Sequence, residues 1–224
     1  MRNQSGFIKT ILILVVICFV GYYAIHDLNI FGFPVRRGEA GIPAPALTPA
    51  TGQLSLGEID GYKITADYMY SCDMRGLVVN ERHFHASSVI DKVAPVSAIL
   101  AWGVVAENNG KIDFEWQQPI RGAVSWSGKE EKYTAIGGSD AIYQCCTDAY
   151  LIPANDALRE DFRKIKQGDQ LHLTGYLIDN VWCGKSNGDG IGIGSGDLAK
   201  SIKGESKGAD VYSIFYVTGL EWLK

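Results

Sequence analysis

Residues 155–178 read NDALREDFRKIKQGDQLHLTGYLI, and this passage decides what kind of domain the chain builds. Asn155 brings a side-chain oxygen to the free N–H groups of a helix start. Asp156, Glu160 and Asp161 come early and Arg163, Lys164 and Lys166 late, the order that complements a helix dipole. Ala157, Leu158, Phe162 and Ile165 recur at helical spacing as one apolar stripe. Gly168-Asp169 then turns the chain into a strand in which Leu171, Leu173 and Leu177 share a face, with Gly175 at the remaining position of that face.

Strand signals dominate on both sides of this unit. Residues 62–68 alternate, residues 76–79 are short and apolar, and residues 96–105 suit a buried central strand. Between 111 and 126 the pattern is mixed: Ile112, Phe114 and Trp116 alternate as in a strand, while the residues ahead of them suit a short helix. Residues 211–222, VYSIFYVTGLEW, supply a long closing strand with a bend or bulge at Gly219. About six strands with one principal helix predict a mainly β (α+β) domain, either a curled antiparallel sheet or an OB-like barrel.

Ahead of this domain, residues 7–25 read FIKTILILVVICFVGYYAI. The apolar stretch has the length of a transmembrane helix, with Lys9 able to snorkel to one interface and Tyr22 and Tyr23 suited to the other. A cleavable signal fits less well, because the position two before Ala24 is the bulky Tyr22. Four prolines, Pro34, Pro43, Pro45 and Pro49, make residues 26–52 a partly extended spacer. The expected order is a short tail over 1–6, a transmembrane helix over 7–25, a proline-rich linker over 26–52 and a β-rich extracytoplasmic domain over 53–224. Arg2 and Lys9 favour a cytoplasmic amino terminus, which places a single-pass chain in a bacterial inner membrane with its domain in the periplasm.

The 224 residues carry 21 Lys and Arg against 25 Asp and Glu, a net charge of −4. Removing Arg2 and Lys9 leaves 19 basic residues and −6 on the remainder. No basic cluster is available to neutralise phosphates, so nucleic acid is not an expected partner. The expected partners are the lipid bilayer, through residues 7–25, and a protein partner or a second copy of the chain.

Several blocks resemble an uncharacterised group of bacterial single-pass membrane-anchored proteins. They are Ile99-Leu100-Ala101-Trp102-Gly103, the Leu151-Ile152-Pro153-Ala154 block before the helix, and Lys166–Asp169 leading into Leu173–Leu177. The resemblance covers about residues 60–182 and implies a small β-rich, OB-like domain with no assigned activity. This chain has Tyr150 where the group has a histidine, and its glycine-rich stretch after Trp182 departs from the pattern, so no functional residue is carried over.

Cys18 falls in the apolar segment, which leaves Cys72, Cys145, Cys146 and Cys183 in the domain. In an oxidising compartment these are disulfide candidates, and since neighbouring strand residues point to opposite faces, Cys145 and Cys146 are expected to bond different partners, Cys72 and Cys183. Cys145-Cys146 lacks the two-residue spacing of a redox pair. His83, His85 and Cys72 are the weak candidates for a metal site, because alternate strand residues share a face. Residues 184–197, GKSNGDGIGIGSGD, suggest a phosphate loop, but Asp179 stands where such a loop needs glycine. The stretch reads instead as a hairpin tip. No catalytic residue, cofactor or nucleophile motif is assigned.

Trp116, Trp126, Tyr133 and Trp182 are candidates for stacking on sugar or a partner protein, with most of them expected in the core. The sequence thus predicts a non-enzymatic, membrane-tethered interaction or assembly module. The alternative is an envelope enzyme or a ligand-binding barrel acting on cell-wall or sugar material.

Overall fold

Twenty-two consecutive residues, from Tyr62 to His83, form one strand, and the rest of the domain is arranged along it. The computed structural model describes residues 38–112, 114–117, 124–196, 198–202 and 212–223. The tail over 1–6 and the helix expected over 7–25 lie outside the described residues. Among the described residues no helix is long and apolar enough to cross a membrane.

In chain order the first elements are β1 (Ala46–Ile59), β2 (Tyr62–His83), α1 (Val89–Val93), β3 (Val96–Ala101) and α2 (Gly103–Ile112). The short β4 (Glu115–Trp116) and β5 (Trp126–Ser127), α3 (Glu130–Thr134) and α4 (Gly138–Gln144) follow. The remainder is β6 (Cys146–Pro153), α5 (Asp156–Phe162), β7 (Gln170–Gly184), β8 (Gly190–Gly194), α6 (Leu198–Ile202) and β9 (Tyr212–Leu223). The main sheet runs β1-β2-β3-β6-β9-β7-β8, and β2 also pairs with β7. Strands β2, β3, β6, β9 and β7 therefore close on themselves, with β1 and β8 attached outside the ring. All of the ring's pairings are antiparallel except β6 with β9, which is parallel.

The domain is thus mainly β, with a curled sheet, and two apolar clusters sit behind it. The first gathers Met74 and Leu77 of β2, Leu100 of β3, Leu151 of β6, Leu171 and Leu173 of β7 and Phe215 of β9. Leu158 and Phe162 of α5, with Ile165 just after it, join this cluster. Asn155 caps α5 by accepting from the Leu158 backbone N–H at 3.0 Å, as its sequence predicts. Ala157, which the apolar stripe includes, is exposed. The second cluster joins Ile64 and Ala66 of β2, Val181 and Cys183 of β7, Val89 and Ile90 of α1, and Tyr150 and Ile152 of β6. Register shifts around Tyr68 separate the halves of β2 that serve the two clusters, since a bulge re-aims the side chains beyond it.

Three expectations change. The strand expected over 96–105 stops at Ala101, because Gly103 has φ +52 and donates its N–H to the Ile42 carbonyl, and the chain then winds into α2. The segment that followed contains both readings offered for it, a helix to Ile112 and then β4. Helix α5 is also not the single principal helix: α2 is longer, and the stretch between β3 and β6 carries α3 and α4 as well. Such short helices rest on tertiary packing more than on their own propensity, so their sequences advertise them weakly.

The spacer expected to reach residue 52 is shortened from its far end. Ile42 is buried, and Glu39 donates its N–H to the Ala106 carbonyl of α2 at 2.8 Å. From Ala46 onward the chain is paired as β1, with Pro49 tolerated because β1 is an edge strand. Residues 38–52 are thus part of the domain.

Helix α1 has a full capping box. Ser88 Oγ accepts from Asp91 N, and Asp91 Oδ2 accepts from Ser88 N, each at 3.1 Å. Ser88→Ala is expected to cost about 1 kcal/mol. Urea unfolding should show a lower midpoint at unchanged slope, and an unchanged midpoint would contradict this role.

Candidate functional site

The four domain cysteines are free thiols. Cys72 lies opposite Gly175 and Cys183 opposite Ile64 in the β2–β7 ladder, so about 26 Å of strand separates them. Cys72 and Cys146 are buried in the first cluster and Cys183 in the second. The expected bonds from Cys145 and Cys146 to Cys72 and Cys183 are absent, because the strand register fixes the thiols at separate places. Burial, reinforced by the Asp73 charge, pushes the Cys72 thiol up to about 12. Burial likewise raises Cys145, Cys146 and Cys183. Thiols so protonated are poor nucleophiles.

The metal candidates do not converge. Cys72 and His83 lie eleven residues apart on β2, roughly 36 Å of extended strand. His83 is exposed and its Nε2 is 3.0 Å from the Ile165 carbonyl, while His85 is exposed beyond the strand. Among the described residues no group of three His, Cys, Asp or Glu side chains could hold a metal ion.

One polar group that sequence reasoning missed is Asp148, fully buried on β6. The Ser97 hydroxyl donates to its Oδ1. Desolvation pushes its carboxyl up to about 6, although the Ser97 and Tyr150 hydroxyls favour the charged form. A buried aspartate inside an apolar strand leaves no pattern by which to find it. Ser97 is also fully buried, so the pair is internal to the fold.

The candidate stacking residues divide sharply. Trp116 and Trp126 pack around the buried Phe114, with ring centroids 5.0 and 5.6 Å from it, and Tyr133 meets Trp126 edge-on at 5.0 Å. Trp116 further donates its indole N–H to Asn109 Oδ1 at 2.8 Å. These three belong to the packing of the first cluster. Trp182 is 45% exposed.

Trp182 stands on the outer face of the four strands β1, β2, β7 and β8. Thr65 and Gly192 lie directly opposite it on the two neighbouring strands, and Ser55 lies opposite Thr65. The glycines of the 184–197 stretch make room for its ring. A Cβ at Gly190 would lie 2.2 Å from Trp182 Cζ2, one at Gly184 2.7 Å from Nε1, and one at Gly192 3.2 Å from Cε3. The indole therefore rests against the backbone of β8, which only missing side chains permit.

Strand β8 is also the last strand of the sheet, paired with β7 alone among the described residues. Its sequence, GIGIG, carries no charge and no proline, the usual devices by which edge strands resist pairing. Ile191 is 50% exposed. A cavity of about 290 Å³ lies near the other end of β8, lined by Tyr70, Asp179, Ser195, Leu198 and Lys200 among others, at the lower limit for small-molecule sites.

Comparisons with known protein families, curated proteins and solved structures found no match for this chain.

Proposed function

We propose that the chain is a non-enzymatic interaction module of a bacterial envelope, tethered to the inner membrane by residues 7–25 and displaying its domain in the periplasm. The domain acts by adding a partner strand to the edge of β8. The observation that carries this reading is an uncharged, proline-free strand at the sheet's end, paired on one side only among the described residues, with Ile191 half exposed. Main-chain hydrogen bonds supply affinity in such pairing, and alternate side chains supply selectivity.

The same reading takes the closed ring as an OB-like barrel. Counted in chain order, its strands close as one-two-three-five-four, the third and fifth are parallel, and α5 lies between the third and fourth. The resemblance to uncharacterised membrane-anchored bacterial proteins is consistent with this assignment. A barrel of this type names no ligand by itself.

A photo-crosslinking residue at position 191 of the full-length chain, irradiated in native membranes, is expected to give a discrete adduct. The same residue at Lys164, exposed beyond α5, should give none. Ile191→Lys, which puts a charge on the edge, should reduce crosslinking from position 193 about tenfold. Equal adducts at 191 and 164, or none at 191, would overturn the reading. Mass analysis of the adduct distinguishes a second copy from another protein.

A further inference from the structure

We propose that the outer face centred on Trp182 is a binding site for an uncharged saccharide, with one sugar ring stacked on the indole. The site is distinct from the β8 edge: Ile191 points to the opposite face from Gly190 and Gly192, as successive strand residues do.

The first ground is preorganisation. An exposed tryptophan on a loop or a bare strand would sample several rotamers and lose that freedom on binding. Here the ring reaches from Gly184 Cα past Gly190 to Gly192, close enough at all three that an added Cβ would clash with it or press on it. The indole lies against these three glycines and is still 45% exposed, so little ordering cost is left for the ligand to offset.

The second ground is the company the ring keeps. Ser55, Lys63, Thr65, Asp67 and Asn180 project from the same face of β1, β2 and β7, by the register that pairs Lys63 with Gly184, Thr65 with Trp182 and Asp67 with Asn180. These are hydroxyl, amide and single charged groups spaced along one side of a flat aromatic, with Gln53 donating to Asp67 Oδ1 at 2.8 Å. An aromatic surface with a few polar groups suits a ligand that is apolar on one face and hydroxylated at its rim.

The third ground is charge. Lys63 and Asp67 oppose one another in sign, and Glu58 lies opposite Lys63 on β1, so these groups carry no positive excess to draw an anion. A nucleic-acid strand, which also stacks on aromatics, needs a basic groove for its backbone, and among the described residues none runs past Trp182. An apolar protein surface would meet one aromatic surrounded by polar side chains. A neutral sugar ring is the ligand class that uses both the π-face and its polar surround.

The test uses the full chain in detergent, titrated with tetrasaccharides of β-1,4-linked N-acetylglucosamine, β-1,4-linked glucose and α-1,4-linked glucose, and with oligothymidylate. Binding is followed by calorimetry and by quenching of tryptophan emission. At least one tetrasaccharide is expected to bind, and Trp182→Ala should weaken it about tenfold or more. Gly190→Val, which keeps the tryptophan but removes its seat, should weaken the same ligand. Ile191→Lys should leave saccharide affinity unchanged while reducing crosslinking from position 193 about tenfold, so failure of either proposal is visible separately. Circular dichroism and an unchanged unfolding midpoint identify variants whose fold is intact. No binding by any of the three sugars, binding of oligothymidylate alone, or full affinity in folded Trp182→Ala would overturn the assignment.

Discussion

Gly175→Ala is expected to lower the stability of the domain by about 4 kcal/mol, a large change for the addition of one methyl group. Gly175 has φ +156 on β7, and a Cβ built there would lie 2.0 Å from the Tyr216 carbonyl oxygen and 3.1 Å from the Thr218 nitrogen. Both are backbone atoms of β9 and cannot rotate away. Relief requires β7 and β9 to separate where the ladder already shifts register, between Thr174 and Gly175, with Thr218 as the extra residue. Leu173 and Leu177 flank the glycine and are buried in the first cluster, so separation also opens the core. Thermal unfolding should fall by roughly 10 °C. A midpoint within a degree or two of the parent would show that β9 yields at this bulge.

Asp148→Asn should stabilise the domain, and by an amount that depends on pH. The carboxyl of Asp148 rises from an ordinary 3.8 to about 6 in the folded state, chiefly through desolvation. The folded state therefore holds this proton more tightly than the unfolded chain does. Its contribution is fully present below about pH 4 and is lost as pH rises through about 6. The difference corresponds to about 3 kcal/mol at neutral pH. Asparagine keeps an oxygen for the Ser97 hydroxyl but cannot ionise. The variant should match the parent near pH 4 and exceed it increasingly to pH 7, with no further gain above. Urea unfolding at pH 4, 5, 6 and 7 measures this directly. A constant difference across that range would mean that desolvation of the carboxylate is not the cause.

Asp148 in the interior and Trp182 on the outer face are two features that local sequence does not single out. Trp116, Trp126 and Trp182 are all tryptophans in β-rich segments, and nothing local separates the one left 45% exposed from the two that pack on Phe114. Only the approach of β8 to β7 shows that Gly184, Gly190 and Gly192 seat an indole. The alternation of glycine over 188–196 reads as a hairpin tip, whereas the structure confines the tip to 185–189 and makes Gly190–Gly194 the strand β8, whose glycines serve a side chain on the neighbouring strand. The cysteines fail for the same reason in reverse: their types and number suggested bonds that the strand register holds apart.

What the sequence by itself determined is whatever depends on neighbours within a turn or a strand. The Asn155 cap, the buried Leu158, Phe162 and Ile165, the turn at Gly168-Asp169 and the alternating Leu171 and Leu173 all follow from spacing, because helix and strand periods set which side chains share a face. The tertiary structure alone decided that β2 pairs with β7 to close the ring, that β8 is left as an edge, that Gly175 meets the Tyr216 carbonyl and that Asp148 is desolvated. Those are contacts between residues far apart in the chain, and hydrophobic patterning specifies that a face is buried without specifying against what.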